Sequence, residues 1–322
     1  MMSEIHRVLW ATDGSSESRE GEAYACLLAQ LWGAELIALS VLEFPPGMNR
    51  KYPVNEIYLA ELLKHATSHL TDAKGRIVAK GIPVRTQVAT GIPSEEILAV
   101  AQAERADLLV LGTRGKTGLA HVMLGSTAER VIRTAPCPVL AVHTTAGSAE
   151  SRETEGIASK GFSRILVPVD FSDCSLDAVE YASLVARQAK ASITLFHVLE
   201  PISYGLDFTI GHVTERQQVR EVMSRRLDDL AGALRRAHLT IDCHVSGGLP
   251  VDSILERVKT SGADLLVMGT HGRRGLSHVL MGSVAEAVLR KTPCPVLTVR
   301  SPKFSPDHQR VVGGNTSSAW TK

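Results

Sequence analysis

The stretch "GTRGKTGLAHVMLGS", residues 112–126, returns as "GTHGRRGLSHVLMGS", residues 269–283. A glycine-spaced loop repeated at a fixed separation marks a duplicated unit, and the rest of the chain confirms the duplication. Adding 157 to a position in the first half carries Asp13 onto Asp170, Gly91 onto Gly248, Asp107 onto Asp264 and Cys137 onto Cys294. From Asp107 to Val142 the two copies are identical at 23 of 36 positions. One offset serves all these landmarks, so the repeat is a whole domain rather than a short solenoid unit.

A chain of 322 residues suits two domains of about 150 residues each. The expected boundaries are a first domain over 1–145, a linker over 146–161, a second domain over 162–301 and a tail over 302–322. The joint, "HTTAGSAESRETEGIASKGF", is polar and poor in large apolar residues. Within the first copy, strands are expected at Val8–Ala11, Leu36–Val41, Val84–Val88, Leu108–Leu111 and Val139–Val142. Helical periodicity falls between them, at Glu17–Leu31, Glu56–Ala79, Ser94–Glu104 and Ser126–Thr134. The strands are apolar on both faces, as a parallel sheet covered on both sides requires. The fold class is therefore α/β: two tandem Rossmann-like domains, each a five-stranded parallel sheet of order 3-2-1-4-5 with helices on both faces. In that order strands 1 and 4 are neighbours, and the crevice at their carboxyl ends is where open α/β sheets bind ligands.

Composition narrows the function. Lys and Arg number 35 against 34 Asp and Glu, so no broad basic field invites nucleic acid. No run approaches the length of a membrane span, and the start "MMSEIHRVLWATDGS" lacks a signal-peptide pattern; a cytoplasmic location is the expectation. The five cysteines, Cys26, Cys137, Cys174, Cys243 and Cys294, form an odd set without a CxxC pair and read as buried thiols. No metal site is expected from them.

Gly112 ends strand 4 and Asp13 ends strand 1, so both belong at the crevice. From Gly112 the spacing runs two residues to Gly115, then nine to Gly125 and Ser126; the second copy keeps it with Gly269, Gly272, Gly282 and Ser283. Glycine admits backbone N–H groups to a phosphate without a Cβ in the way. Ser126 and Glu129, like Ser283 and Glu286, form a capping-box pattern at a helix start, and a helix N-terminus favours anions. The "GKT" at 115–117 is not a Walker A element, since position 110 is Val and the duplicate reads Arg273-Arg274. Nor is "SGGLPVDS", 246–253, a pyrophosphatase-type loop: it follows strand 3, and its first-copy counterpart reads "ATGIPSEE".

The Asp after strand 1 ("WATDGS", "VPVDFS"), the doubled glycine loop and "PCPVL" before strand 5 resemble the universal stress protein family in its tandem form. The resemblance covers all but linker and tail. It implies an adenine nucleotide alpha hydrolase-like fold, association through the last strand, and ATP binding, with Mg²⁺ on the triphosphate. Carried onto this sequence, phosphate and ribose contacts come from Gly112, Gly115, Gly125 and Ser126, with Asp13 near the nucleoside and the Val41 backbone at adenine. The second set is Asp170, Val198, Gly269, Gly272, Gly282 and Ser283. One departure is that Ala11-Thr12 becomes Pro168-Val169.

Several readings stay open at this level. The glycines can be plain turns, and Asp13 and Asp170 can cap the following helix. His121 and His278, and the basic Arg114, Lys116, Arg273 and Arg274, have no assigned role. A regulatory ATP-binding stress protein with little or no turnover competes with a slow ATPase or phosphotransferase and with an interaction scaffold; no catalytic residue is assigned. The apolar last strands "PVLAV" and "PVLTV" predict that the two domains pair to cover their edges, and the family analogy adds a homodimer.

Overall fold

The computed structural model describes residues 5–15, 18–44, 53–113, 124–143, 161–200, 211–272 and 281–300. The described residues fall into two compact units: those between 2 and 161 together with 295–298, and those between 162 and 294 together with 299 and 300.

In the first unit the chain runs β1 (Arg7–Thr12), α1 (Ser18–Trp32), β2 (Glu35–Glu43), α2 (Pro53–Ala79), β3 (Val84–Gly91), α3 (Pro93–Ala103), β4 (Leu108–Gly112), α4 (Ser126–Thr134) and β5 (Val139–Val142). Every expected strand and helix of the first copy is present, with no end moved by more than three residues. The five strands lie parallel in the order β3-β2-β1-β4-β5. Val8, Leu9 and Trp10 on β1, and Leu109 and Val110 on β4, are fully buried, so helices cover both faces of the sheet. A bidentate ion pair ties α2 to α1: Arg76 donates to both oxygens of the buried Glu22, at 2.9 and 2.6 Å.

The second unit repeats the pattern with β6 (Arg164–Pro168), α5 (Asp173–Ala189), β7 (Ser192–Leu199), α6 (Gly211–Arg236), β8 (Ile241–Gly247), α7 (Pro250–Ser261), β9 (Leu265–Gly269) and α8 (Ser283–Lys291). Its parallel order is β8-β7-β6-β9. The remaining strand, β10 (Val296–Val299), follows β9 in the strand order, the place that the order 3-2-1-4-5 gives to the fifth strand of this copy. Residues 295–298 group with the first unit, where β10 runs antiparallel to β5 with Leu297 opposite Leu140. Thr298 Oγ1 also donates to the Val139 carbonyl at 3.0 Å. The unpaired backbone of an apolar edge strand is thereby satisfied.

The same side-chain bracket starts both repeats. Asp107 accepts the amides of His6 and Arg7, at 2.8 and 2.9 Å. Asp264 accepts those of Ser163 and Arg164, at 2.8 and 3.0 Å. The repeats differ where Pro168 replaces Ala11: β1 pairs with β4 from Val8 to Ala11, whereas β6 pairs with β9 only at Ile165 and Leu166. Proline has no N–H to give, so the ladder stops earlier in the second copy.

Cys26, Cys137, Cys174 and Cys294 are buried, but Cys243 is only half-buried, which corrects the expectation for that residue. It lies on the outermost strand β8, where one face meets less cover. Burial pushes the Cys26 and Cys294 thiols up to about 11. At pH 8 the folded chain should therefore resist a thiol-specific reagent at both positions, while guanidinium-unfolded chain exposes five reactive thiols. Rapid labelling of Cys26 or Cys294 in folded protein, mapped by peptide mass spectrometry, contradicts this.

Candidate functional site

Both crevices are built from the ends of adjacent strands, and one threonine organises each. Thr113 follows β4, is buried, and donates its amide to the Val142 carbonyl at the end of β5, at 3.0 Å. Its own carbonyl accepts the Gly125 amide at 2.9 Å. The ten residues between 113 and 124, which include Gly115, Lys116 and His121, lie outside the described residues. In the second unit Thr270 donates to Val299 at 2.9 Å and accepts from Gly282 at 2.8 Å. Arg273, Arg274 and His278 lie outside the described residues there. Each loop is thus anchored at both ends by the backbone of a single residue, Thr113 or Thr270.

The closure leaves little room for a side chain at the loop's return. A Cβ on Gly125 would stand 3.2 Å from the Thr113 carbonyl oxygen, and one on Gly282 would stand 3.3 Å from that of Thr270. This arrangement corrects the capping-box expectation. The N-cap positions belong to Gly125 and Gly282, in extended conformation at φ −61° and −62°. Ser126 and Ser283 are the first helical residues and are exposed, one place too late to reach back as caps. Glu129 and Glu286 donate their backbone amides to the Gly125 and Gly282 carbonyls, at 2.9 and 3.0 Å. No side chain of the N-cap residue engages the first amides of α4 and α8.

The aspartates stand on the other lip. Asp170 Oδ1 accepts both the amide and the hydroxyl of Ser172, at 3.0 and 2.6 Å, and Ser172 in turn is the N-cap of α5. Asp13 holds Ser15 in the same way, at 2.9 and 2.6 Å, and Ser15 receives the Ser18 amide at 3.3 Å. In the second unit the aspartate therefore orients the capping residue instead of capping the helix itself. Across the crevice, a Cβ on Gly272 would come within 2.9 Å of Asp170 Oδ2 and one on Gly282 within 3.8 Å of the Gly272 amide nitrogen. Asp170, Gly272 and Gly282 are consequently brought together, as the spacing implied.

The remaining expected residues are placed less intimately. Gly112 and Gly269 are the last residues of β4 and β9. Packing alone explains Gly269, since its Cβ would lie 2.9 Å from the Cys174 carbonyl carbon in the first turn of α5. Val41 and Val198 sit on β2 and β7, opposite Ala89 and Ser246 of the next strand outward. Residues that the sequence reading passed over also line the crevices: Thr113 and Thr270, the serine caps, and a side chain from the long second helix of each repeat. In the first unit that side chain is His69, whose ring lies 3.4 Å from the position of a Cβ on Gly14. Burial, followed by the neighbouring Arg76 charge, lowers the His69 pKa. Its place could have been found by asking which α2 residue projects toward the end of β1.

A doubly wound α/β unit, occurring twice, with a backbone-lined crevice at the carboxyl ends of its central strands, defines a class of ligand-binding domain rather than a single activity. The model of the universal stress protein family matches residues 4–143 and again 161–300, and the chain belongs to that family. A universal stress protein of Mycolicibacterium smegmatis is 27% identical over 303 residues, covering 91% of this chain and 96% of that one. One from Methanocaldococcus jannaschii is 37% identical over 137 residues, 42% of this chain and 81% of the relative, as a single-repeat match. The crystal structure of a universal stress protein from Archaeoglobus fulgidus superposes with a TM-score of 0.66 at 22% identity, covering 93% of this chain and 99% of that one. Among the described residues no helix is long and apolar enough to cross a membrane.

The two glycines at the second crevice separate packing from access. Gly269→Ala forces Cβ against the fixed backbone of α5 and should cost about 1–3 kcal/mol in urea unfolding. Gly272→Ala meets only a carboxylate tip that can swing aside, and should cost less. An equal loss for both would show that the Asp170–Gly272 approach is part of the core.

Proposed function

We propose that the chain is an ATP-binding regulatory protein of the stress response, with one nucleotide site in each repeat and little or no turnover. The observation that carries this reading is the loop closure: a glycine whose Cβ would strike the Thr113 or Thr270 carbonyl delivers the chain straight into a helix N-terminus. Backbone amides so presented suit a polyphosphate. Gly112, Gly115, Gly125 and Ser126 would hold phosphate and ribose in the first site, with Asp13 and the Val41 backbone toward the nucleoside. Asp170, Val198, Gly269, Gly272, Gly282 and Ser283 do the same in the second. Bound ATP would bring its own Mg²⁺, and these residues supply binding and orientation to it. We further propose that the β5 and β10 edges are covered within the chain, which the β5–β10 register supports.

Calorimetry at saturating MgATP tests the reading. Wild type should bind about two nucleotides per chain, Gly115→Val and Gly272→Val about one each, and the double variant none, because a branched side chain closes the approach to phosphate. Undiminished binding in the double variant contradicts the loop assignment. Steady-state phosphate release faster than product exchange would replace the regulatory reading with that of an ATPase.

A further inference from the structure

We infer that Phe171 makes the second crevice the weaker of the two nucleotide sites, by closing its nucleobase side; this rests on the nucleotide reading above. Four positions beside the crevice differ between the repeats, and they differ together. Thr12, Gly14, Ser40 and His69 in the first copy become Val169, Phe171, His197 and Arg226 in the second.

In the first unit the Thr12 hydroxyl accepts the Gly14 amide at 3.2 Å and donates to Ser18 Oγ at 2.9 Å, so the turn is held by a side chain below it. Gly14 takes a left-handed φ of +75°, and beyond it only the His69 ring approaches. His69 Nδ1 is buried with no hydrogen-bond partner among the described residues. That leaves a polar atom beside the place where a base would enter.

In the second unit Val169 has no hydroxyl. Its carbonyl accepts a hydrogen bond from His197 Nδ1 at 2.6 Å, which places the proton on that nitrogen and fixes the buried ring. Phe171 keeps the left-handed turn at φ +64°, a conformation that glycine adopts freely and a bulky residue does not. The ring is held by two neighbours: the His197 ring stands 5.2 Å away, tilted by 51°, and the Arg226 guanidinium carbon lies 4.3 Å over the ring centroid. His197 directly precedes Val198, whose backbone is assigned to the base. An adenine brought to Val198 therefore meets an aromatic ring already covered by Arg226 and packed against His197, and entering costs that cation–π contact and the ring's packing. The strained turn is retained where the ring blocks access, as expected of strain kept for function.

Calorimetric titration of the full chain with MgATP should resolve a tighter class of site and a weaker one, with Gly272→Val abolishing the weaker class. Phe171→Gly should tighten the weaker class by about tenfold and leave the other unchanged. Phe171→Tyr, which keeps the ring, should retain the wild-type separation, and this distinguishes a closed base side from a general loosening of the turn. Thermal melting of each variant checks that the second unit is folded; glycine suits the left-handed turn, so the backbone is not the obstacle. Two equal classes in the wild type, or a Phe171→Gly variant whose weaker class is unchanged or weaker still, overturns the inference while the nucleotide reading stands. Absence of binding in wild type and all variants overturns both.

Discussion

The backbone of one threonine in each repeat carries the ligand end of the fold. The Thr113 amide is spent on the last strand and its carbonyl on Gly125; Thr270 does the same with Val299 and Gly282. A buried backbone that leaves the sheet must find partners for both groups, and this arrangement satisfies them at once. The geometry of the loop follows. The chain returns to within a hydrogen bond of where it left, at a glycine, and then starts a helix. Three requirements fall on a short segment, which accounts for its near identity between the copies.

The sheet itself was legible in the sequence because burial on both faces leaves long apolar runs, and because the repeat gave every element twice. Positions such as Val8–Ala11 and Val139–Val142 fell where the periodicity put them. For β10 the sequence showed an apolar last strand whose edge needs cover, but not the antiparallel register with β5 that sets Leu297 opposite Leu140. The caps were misread by one place: Ser126-x-x-Glu129 matches the capping pattern, but Gly125 is the N-cap, its amide held by the Thr113 carbonyl in the loop closure and its own carbonyl accepting the Glu129 amide as the first helical bond.

The aspartate–serine pairs show a second kind of invisibility. Asp13 was visible as a polar residue ending an apolar strand, yet its use of Ser15 two residues on is a local turn that competes with helix capping, and only geometry decides between them. The long-range neighbours, His69 and Arg226, come from the middle of helices whose facing depends on packing. A position-by-position comparison of the two copies could have exposed them, since the four correlated differences around Gly14 and Phe171 are readable at the offset of 157. Duplication thus preserves the part of each crevice set by the backbone and lets the side-chain wall diverge.

Glycine amide resonances report on the closure most directly. In full chain labelled with ¹⁵N-glycine, titration with MgATP should move the signals of Gly125 and Gly282, the former at lower nucleotide concentration, while Gly33 and Gly81, at turns remote from both crevices, stay in place. Shifts confined to other glycines, with Gly125 and Gly282 unmoved at saturating nucleotide, would contradict the placement of phosphate at the loop closure.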